Sequence, residues 1–186
     1  MATTKNQNKR LMLDVIQSVI RDKHIPTDQN NMVEVKTNGR LGSMICHIDC
    51  KDEEVLLCSF DERCNNSLQF PYFKEVHGMV SMCDYIVFVE DDNSLFVFLV
   101  DLKDSANSAK EQTCIAKTFA EFIVNRITEI FGAQSFYKPV QYRKIGVKST
   151  NCKTTTKAYE KEAYDSDDYL VLLDYHHFYT RRLMDL

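Results

Sequence analysis

The segment CDYIVFVEDDNSLFVFLVDLK at residues 83–103 decides the fold. Two runs that are apolar at nearly every position, 83–90 and 94–103, flank the polar tripeptide at 91–93, as two strands flank a tight turn. Strands that lack polar–apolar alternation are usually covered on both faces. The segment therefore predicts a central β-hairpin with other elements packed against each side of it.

A long helix and a further strand follow the hairpin. Apolar side chains recur at helical spacing between residues 107 and 132, with Ser105 or Asn107 as the N-cap and Gly132 as the terminating residue. The stripe predicted to face the sheet consists of Ile115, Phe119, Phe122, Ile123, Ile127 and Ile130. Because VQYRKIGVK (140–148) alternates as a strand, the order strand, helix, strand predicts a crossover to a parallel neighbour.

The remaining segments complete a mixed sheet. They are predicted, in chain order, as an amphipathic helix (5–23), a three-stranded meander (32–36, 41–50 and 54–60), a loop with a short helical turn (61–82), a flexible polar loop (149–168) and a last strand (169–179). The fold class is therefore α/β (α+β), with a mixed central β-sheet and flanking helices. We expect a single domain over residues 1–186, with an N-terminal helix and meander in 1–60, a core in 83–148 and a C-terminal strand in 169–186.

Composition excludes several classes of protein. The chain has 186 residues, of which 44% are apolar and 27% charged, and its formal net charge is -4. The apolar stretch at 11–20 is interrupted by Asp14 and is too short to span a membrane, and the seven cysteines form no C-x2-C pair, so we expect a cytoplasmic protein. The sequence contains no Gly-rich phosphate loop, G-x-S-x-G elbow or H-E-x-x-H pair, which disfavours P-loop NTPases and serine hydrolases.

Charged residues are few in the two apolar strands, and they gather at one end of the hairpin. Asp84 opens the first strand, while Asp101 and Lys103 close the second. Pairing Asp91 with Ser94 across the turn sets Asp84 opposite Asp101, and alternation puts Lys103 on the same face as Asp101. The alternative reading is that these residues only cap the strands and form an exposed ion pair of little energetic value.

Two converging carboxylates favour a hard divalent cation such as Mg2+ or Mn2+, which takes oxygen ligands and keeps several waters. A lysine beside them is suited to orient a metal-bound water or to offset the charge on a phosphate under attack. These are the groups that phosphodiester hydrolysis requires.

The spacing of Asp84 and Asp101-Leu102-Lys103, with the helix and strand that follow, resembles the PD-(D/E)XK nuclease superfamily over residues 83–148. The resemblance implies a restriction-endonuclease-like core in which Asp84 and Asp101 bind the metal and Lys103 is the catalytic lysine. It also implies a catalytic role for Gln112, because many members carry a glutamine near the start of the following helix. Members often add a glutamate from an earlier helix, and the candidates for that third ligand are Asp14, Asp22, Glu34, Glu54 and Glu75.

A run of basic residues without intervening acids follows the helix. Its proposed nucleic-acid contacts are Lys138, Arg143, Lys144 and Lys148, with Lys153 and Lys157 continuing the run. Such a run suits a phosphate backbone, and lysines that protect an exposed strand edge are the equally weighted alternative.

The sequence thus favours a metal-dependent endonuclease that acts on DNA. The resemblance implies a role in antiphage defence or DNA processing, with a homodimer or a protein partner in a defence complex. A non-catalytic interaction subunit that keeps the same fold is the alternative, because a fold does not by itself confer activity.

Overall fold

The computed structural model describes residues 12–35, 41–60, 82–103, 109–132, 138–148, 164–173 and 177–186. The elements, in chain order, are α1 (Met12–Val19), a 3-10 helix (Asp22–His24), β1 (Asn31–Val35), β2 (Leu41–Asp49), β3 (Glu54–Cys58), β4 (Tyr85–Glu90), β5 (Leu95–Lys103), α2 (Ala109–Phe131), β6 (Val140–Lys148), β7 (Tyr169–Leu173), β8 (His177–Tyr179) and α3 (Thr180–Asp185). This mixture of helices and strands confirms the predicted α+β class. None of the described helices has the length and apolar character needed to cross a membrane.

A five-stranded sheet with the order β3-β4-β5-β6-β7 forms the centre of the fold. β3, β4 and β5 pair antiparallel, whereas β6 pairs parallel with both β5 and β7. Every residue of β4 is buried, as are residues 95–102 of β5. The hairpin is central as predicted, and β6 occupies the predicted range beside β5 after the α2 crossover.

Each face of this sheet is covered by a different layer. On one face, α1 and α2 pack against side chains such as Phe88 and Leu99. On the other face lie a three-stranded sheet, β1-β2-β8, and α3. Phe98 of β5 meets Phe178 of β8 edge to face at a centroid distance of 5.4 Å, and both rings are fully buried. The central strands lack alternation because both of their faces are in the core.

α2 ends where predicted but presents a different face to the sheet. Gly132 follows its last residue with a φ of 85°, the left-handed conformation that glycine adopts without steric penalty. The buried side chains of α2 are Thr113, Ala116, Ala120, Val124 and Ile127. Phe122 and Ile130 of the predicted stripe are instead 60% and 64% exposed. The prediction was wrong for these two residues because it followed the large apolar side chains, whereas the small alanines allow the helix to approach the sheet closely.

The predicted meander is also wrong, because β3 pairs with β4 and not with β2. The consecutive buried residues Leu56, Leu57 and Cys58 require cover on both faces, which the five-stranded sheet provides. The free edge of β2 is taken by β8 in a parallel pairing. A polar connection at 51–53 therefore crosses between sheets rather than closing a hairpin.

The predicted strand at 169–179 is divided between the two sheets, with β7 in the larger one and β8 in the smaller one. The short helix α3 was not predicted. Within the predicted flexible loop, Asp165 accepts hydrogen bonds from the N–H groups of Asp167 and Tyr169, so the end of this segment is a defined turn. The predictions for 5–11, 61–81, 149–163 and the N-cap at Ser105 or Asn107 lie outside the described residues.

Candidate functional site

The hairpin register brings Asp84 and Asp101 opposite each other. Tyr85 pairs with Val100 at one end of the hairpin, and the Asp91 N–H donates to the Ser94 carbonyl at the turn, 3.1 Å away. Asp84 directly precedes β4 and is 6% exposed, while Asp101 is fully buried. The predicted register is therefore confirmed, and two buried acidic residues lie at the end of the hairpin remote from its turn.

Contacts with the neighbouring strands fix Asp84 in place. The Leu102 N–H donates to Asp84 Oδ2 at 2.6 Å, and the Ser59 hydroxyl donates to the Asp84 carbonyl at 3.1 Å. The first contact is between a carboxylate and a backbone N–H next to Asp101. It holds the Asp84 carboxylate against the end of β5.

The pKa of the Cys83 thiol is affected by the negative charges of this acidic pair. Burial raises its pKa well above the ordinary value, and the negative charges of Asp101 and Asp84 raise it further. Two carboxylates beside one buried thiol repel each other unless a cation or a proton lies between them. The site is therefore one where a positive charge stabilises the ionised forms.

Of the two other predicted site residues, the structure describes only the backbone of Lys103 but the whole of Gln112. Lys103 is present through its backbone, which pairs with Lys148 of β6. Gln112 lies in the first turn of α2, and its Oε1 is buried with no hydrogen-bond partner in the described part of the chain. That amide oxygen can accept a hydrogen bond from a ligand.

The candidates for a third metal ligand lie at different ends of the central hairpin. The Leu13 N–H donates to Glu90 Oε2 at 2.9 Å and Glu54 pairs with Glu90, so Asp14 and Glu54 lie at the turn end of the hairpin. The 3-10 helix containing Asp22 lies at the other end, because the Ser59 N–H, next to Asp84, donates to the His24 carbonyl at 2.9 Å.

The side chain of Glu34 and the whole of Glu75 lie outside the described residues. Within 12–35, 41–60, 82–103 and the later described ranges, no group of three or more His, Cys, Asp or Glu is arranged to hold a metal ion. The described part of the site is thus the Asp84–Asp101 pair.

Lys138 of the predicted nucleic-acid surface is engaged inside the protein. Its Nζ lies 2.6 Å from Glu90 Oε1 and 2.5 Å from the Asp91 carbonyl, and the Lys138 and Glu90 side chains are 12% and 3% exposed. The structure therefore shows the ammonium group of Lys138 in an internal ion pair, and its contact with a phosphate backbone stays a prediction.

We therefore expect Lys138→Gln to lower the free energy of unfolding by roughly 3 kcal/mol, because it leaves the Glu90 carboxylate buried without its cation. Chemical denaturation of both proteins measures the loss. Lys117→Gln, at a half-buried position on α2, is the matched control and should change stability little, because its ion pair with Glu121 is solvent-accessible. An unaltered unfolding midpoint in Lys138→Gln would contradict the assignment.

Arg143 and Lys144 lie on opposite faces of β6, so the basic run does not form one surface. Arg143 lies over the Tyr164 ring, 5.2 Å from its centroid, and its Nη1 is 3.6 Å from Asp168 Oδ1. Lys144 is buried on the α2 side, and the side chain of Lys148 lies outside the described residues. Consecutive residues of a strand point to opposite faces of the sheet, which separates Arg143 from Lys144. The sequence-based prediction treated the basic residues as one run and did not take this alternation into account.

A cleft of about 480 Å³ lies at the turn end of the hairpin. Its lining includes six acidic residues, two lysines and an arginine, among them Glu90, Asp91, Lys138 and Arg181. It is separated from the Asp84–Asp101 pair by the length of β4. The cleft is therefore not part of the candidate site.

No protein-family model, curated protein or solved structure matches this chain. What the site can do chemically follows from its own residues. Two buried acidic residues opposite each other at one end of a hairpin are suited to bind a divalent cation, which in turn attracts an anionic substrate.

Proposed function

We propose that this protein is a metal-dependent nuclease of the PD-(D/E)XK type that hydrolyses phosphodiester bonds of DNA. The observation that carries the proposal is the register of β4 and β5, which sets Asp84 opposite Asp101 at the end of the two most buried strands. Charged groups are rarely buried unless they are paired or bind a ligand. Two of them on one face of a hairpin therefore favour a binding role over strand capping.

The donor chemistry of this pair fits Mg2+ or Mn2+, which prefer carboxylate oxygens and water. Asp84 and Asp101 would hold the ion, and the Leu102 N–H that binds Asp84 Oδ2 keeps one carboxylate oriented. A bound divalent cation polarises a phosphoryl oxygen and lowers the pKa of a bound water.

The chain's own residues supply the other roles. Strand alternation leads us to expect the Lys103 amine on the face of Asp101, where it orients the attacking water and offsets charge on the phosphate. The buried Oε1 of Gln112 is suited to accept a hydrogen bond from that water. DNA as the substrate, a role in antiphage defence or DNA processing, and a homodimer or protein partner come from the resemblance alone. A cytoplasmic location comes from the short apolar stretch at 11–20 and the cysteine pattern.

A second candidate function is a non-catalytic interaction subunit. Phe122 and Ile130 on the outer side of α2 are more than half exposed, and large exposed apolar side chains are common at protein interfaces. The described residues also offer two rather than three acidic ligands. This reading predicts a folded protein that binds no divalent cation.

The two candidates are separated by metal dependence. We expect the wild type to bind Mn2+, to gain thermal stability from it, and to cleave DNA in Mg2+ or Mn2+ but not in EDTA. Calorimetric titration with Mn2+ and gel assays on single-stranded DNA, duplex DNA and RNA provide the measurements. A protein that binds no Mn2+ and cleaves none of these substrates would support the interaction subunit instead.

A further inference from the structure

Lys144 is a buried lysine, and a role on a basic surface does not explain its burial. It lies in the middle of β6 and is 8% exposed. Its Nζ lies 3.6 Å from Cys114 Sγ on α2, and a thiol is a weak, uncharged acceptor. Because a buried ammonium group is unfavourable without an opposite charge, other groups on this face must balance it.

The strand register places a buried carboxylate, that of Asp101, on the same face of the sheet as Lys144. Lys144 pairs with Leu99 of β5, and alternation puts Lys144, Leu99 and Asp101 on one face of the sheet. Asp101 itself pairs with Gly146, which has no side chain to separate Asp101 from Lys144. Diagonal neighbours on adjacent strands are about 7–8 Å apart, a gap that a long side chain can span.

Tyr169 is the neighbour of Lys144 on the next strand, and the charge of Asp101 also affects it. It pairs with Lys144 on β7 and is 9% exposed. Burial raises the pKa of the Tyr169 phenol and the negative charge of Asp101 raises it further, with Cys114 making a smaller contribution of the same sign. By register, Asp101, Lys144 and Tyr169 lie on the face of the sheet that α2 covers, and Cys114 of α2 contacts Lys144.

We propose that Lys144 is a second cationic residue of the Asp84–Asp101 site and binds a non-bridging oxygen of the substrate phosphate. This inference rests on the proposed nuclease function. Lys144 enters the site from β6, whereas Lys103 ends β5, so the two lysines approach a bound phosphate from different strands. A cation fixed on a rigid internal strand is already oriented toward the charge that develops in the reaction.

Lys144→Met tests the proposal, because methionine fills a similar volume without the charge. In Mn2+ we expect cleavage to fall by about 100-fold, the effect of removing one preorganised donor. Anisotropy titration in Ca2+ should show weaker binding of a short DNA duplex, while Mn2+ titration should show equal or tighter metal affinity, because a like charge has left the site. Lys117→Met, at a half-buried position on α2 away from the acidic pair's strands, is the matched control and should resemble the wild type.

Thermal unfolding verifies that Lys144→Met is folded, and the Mn2+ titration shows whether its carboxylate site is intact. Wild-type cleavage and DNA binding in a folded Lys144→Met would overturn this inference alone. Loss of Mn2+ binding in that variant would also overturn it, because Lys144 would then support the carboxylates rather than the phosphate. A wild type that neither binds Mn2+ nor cleaves would overturn the proposed function together with the inference.

Discussion

Asp101→Asn is expected to abolish metal-dependent cleavage while leaving the protein folded. Asp101 is fully buried, so an amide of nearly the same shape keeps the packing but removes a ligand charge. We expect the rate to fall by at least about 1000-fold, or about 4 kcal/mol of transition-state stabilisation, because the cation is no longer held. Single-turnover cleavage assays measure the rate, and calorimetry should show a parallel loss of Mn2+ affinity.

Asp92→Asn, at the exposed turn of the same hairpin, is the matched control and should retain wild-type activity. Lys103→Ala provides a complementary comparison, since it should lose cleavage but keep Mn2+ binding. Full activity in Asp101→Asn would remove the basis of the candidate site.

Phe98→Ala is expected to lower the free energy of unfolding by about 4 kcal/mol. The Phe98 ring is fully buried and contacts Phe96 in the same strand and Phe178 in the smaller sheet, so its removal opens a cavity between the two sheets. Such a loss is a large fraction of the roughly 5–15 kcal/mol that stabilises a typical domain. Urea denaturation followed by circular dichroism measures it.

Phe122→Ala removes the same ring from a position that is 60% exposed, and it should change stability by no more than about 0.5 kcal/mol. Similar losses in the two variants would mean that the contact between the sheets is not a main source of stability.

The central hairpin could be predicted from the sequence because its determinants are local. The turn at 91–93 fixes the pairing of its flanking residues. The same register, continued along both strands, sets Asp84 opposite Asp101. The end of α2 at Gly132 and the bounds of β6 depend on similarly local signals. The Asp84–Asp101 pair follows from these residues before any tertiary contact is known.

Tertiary structure decided what lies against each of these elements. β3 pairs with β4 instead of β2, because its consecutive buried residues are covered on both faces only in the larger sheet. β8, more than a hundred residues further along the chain, pairs with β2 instead. Helical spacing alone did not show that Ala116 and Ala120, rather than Phe122, would approach the sheet. These outcomes depend on which surfaces meet, and a local pattern contains no information on its distant partner.

The same distinction applies to the lysines. Sequence placed Lys138 and Lys144 in one basic run, but the fold pairs Lys138 with Glu90, 48 positions earlier, and buries Lys144 on the face of Asp101. The sequence by itself determined the hairpin, its register and the acidic pair, since turn chemistry and strand alternation act between near neighbours. Only the tertiary structure decided that Lys138 pairs with Glu90 and that Lys144 is buried, because the neighbours of each lysine come from distant parts of the chain.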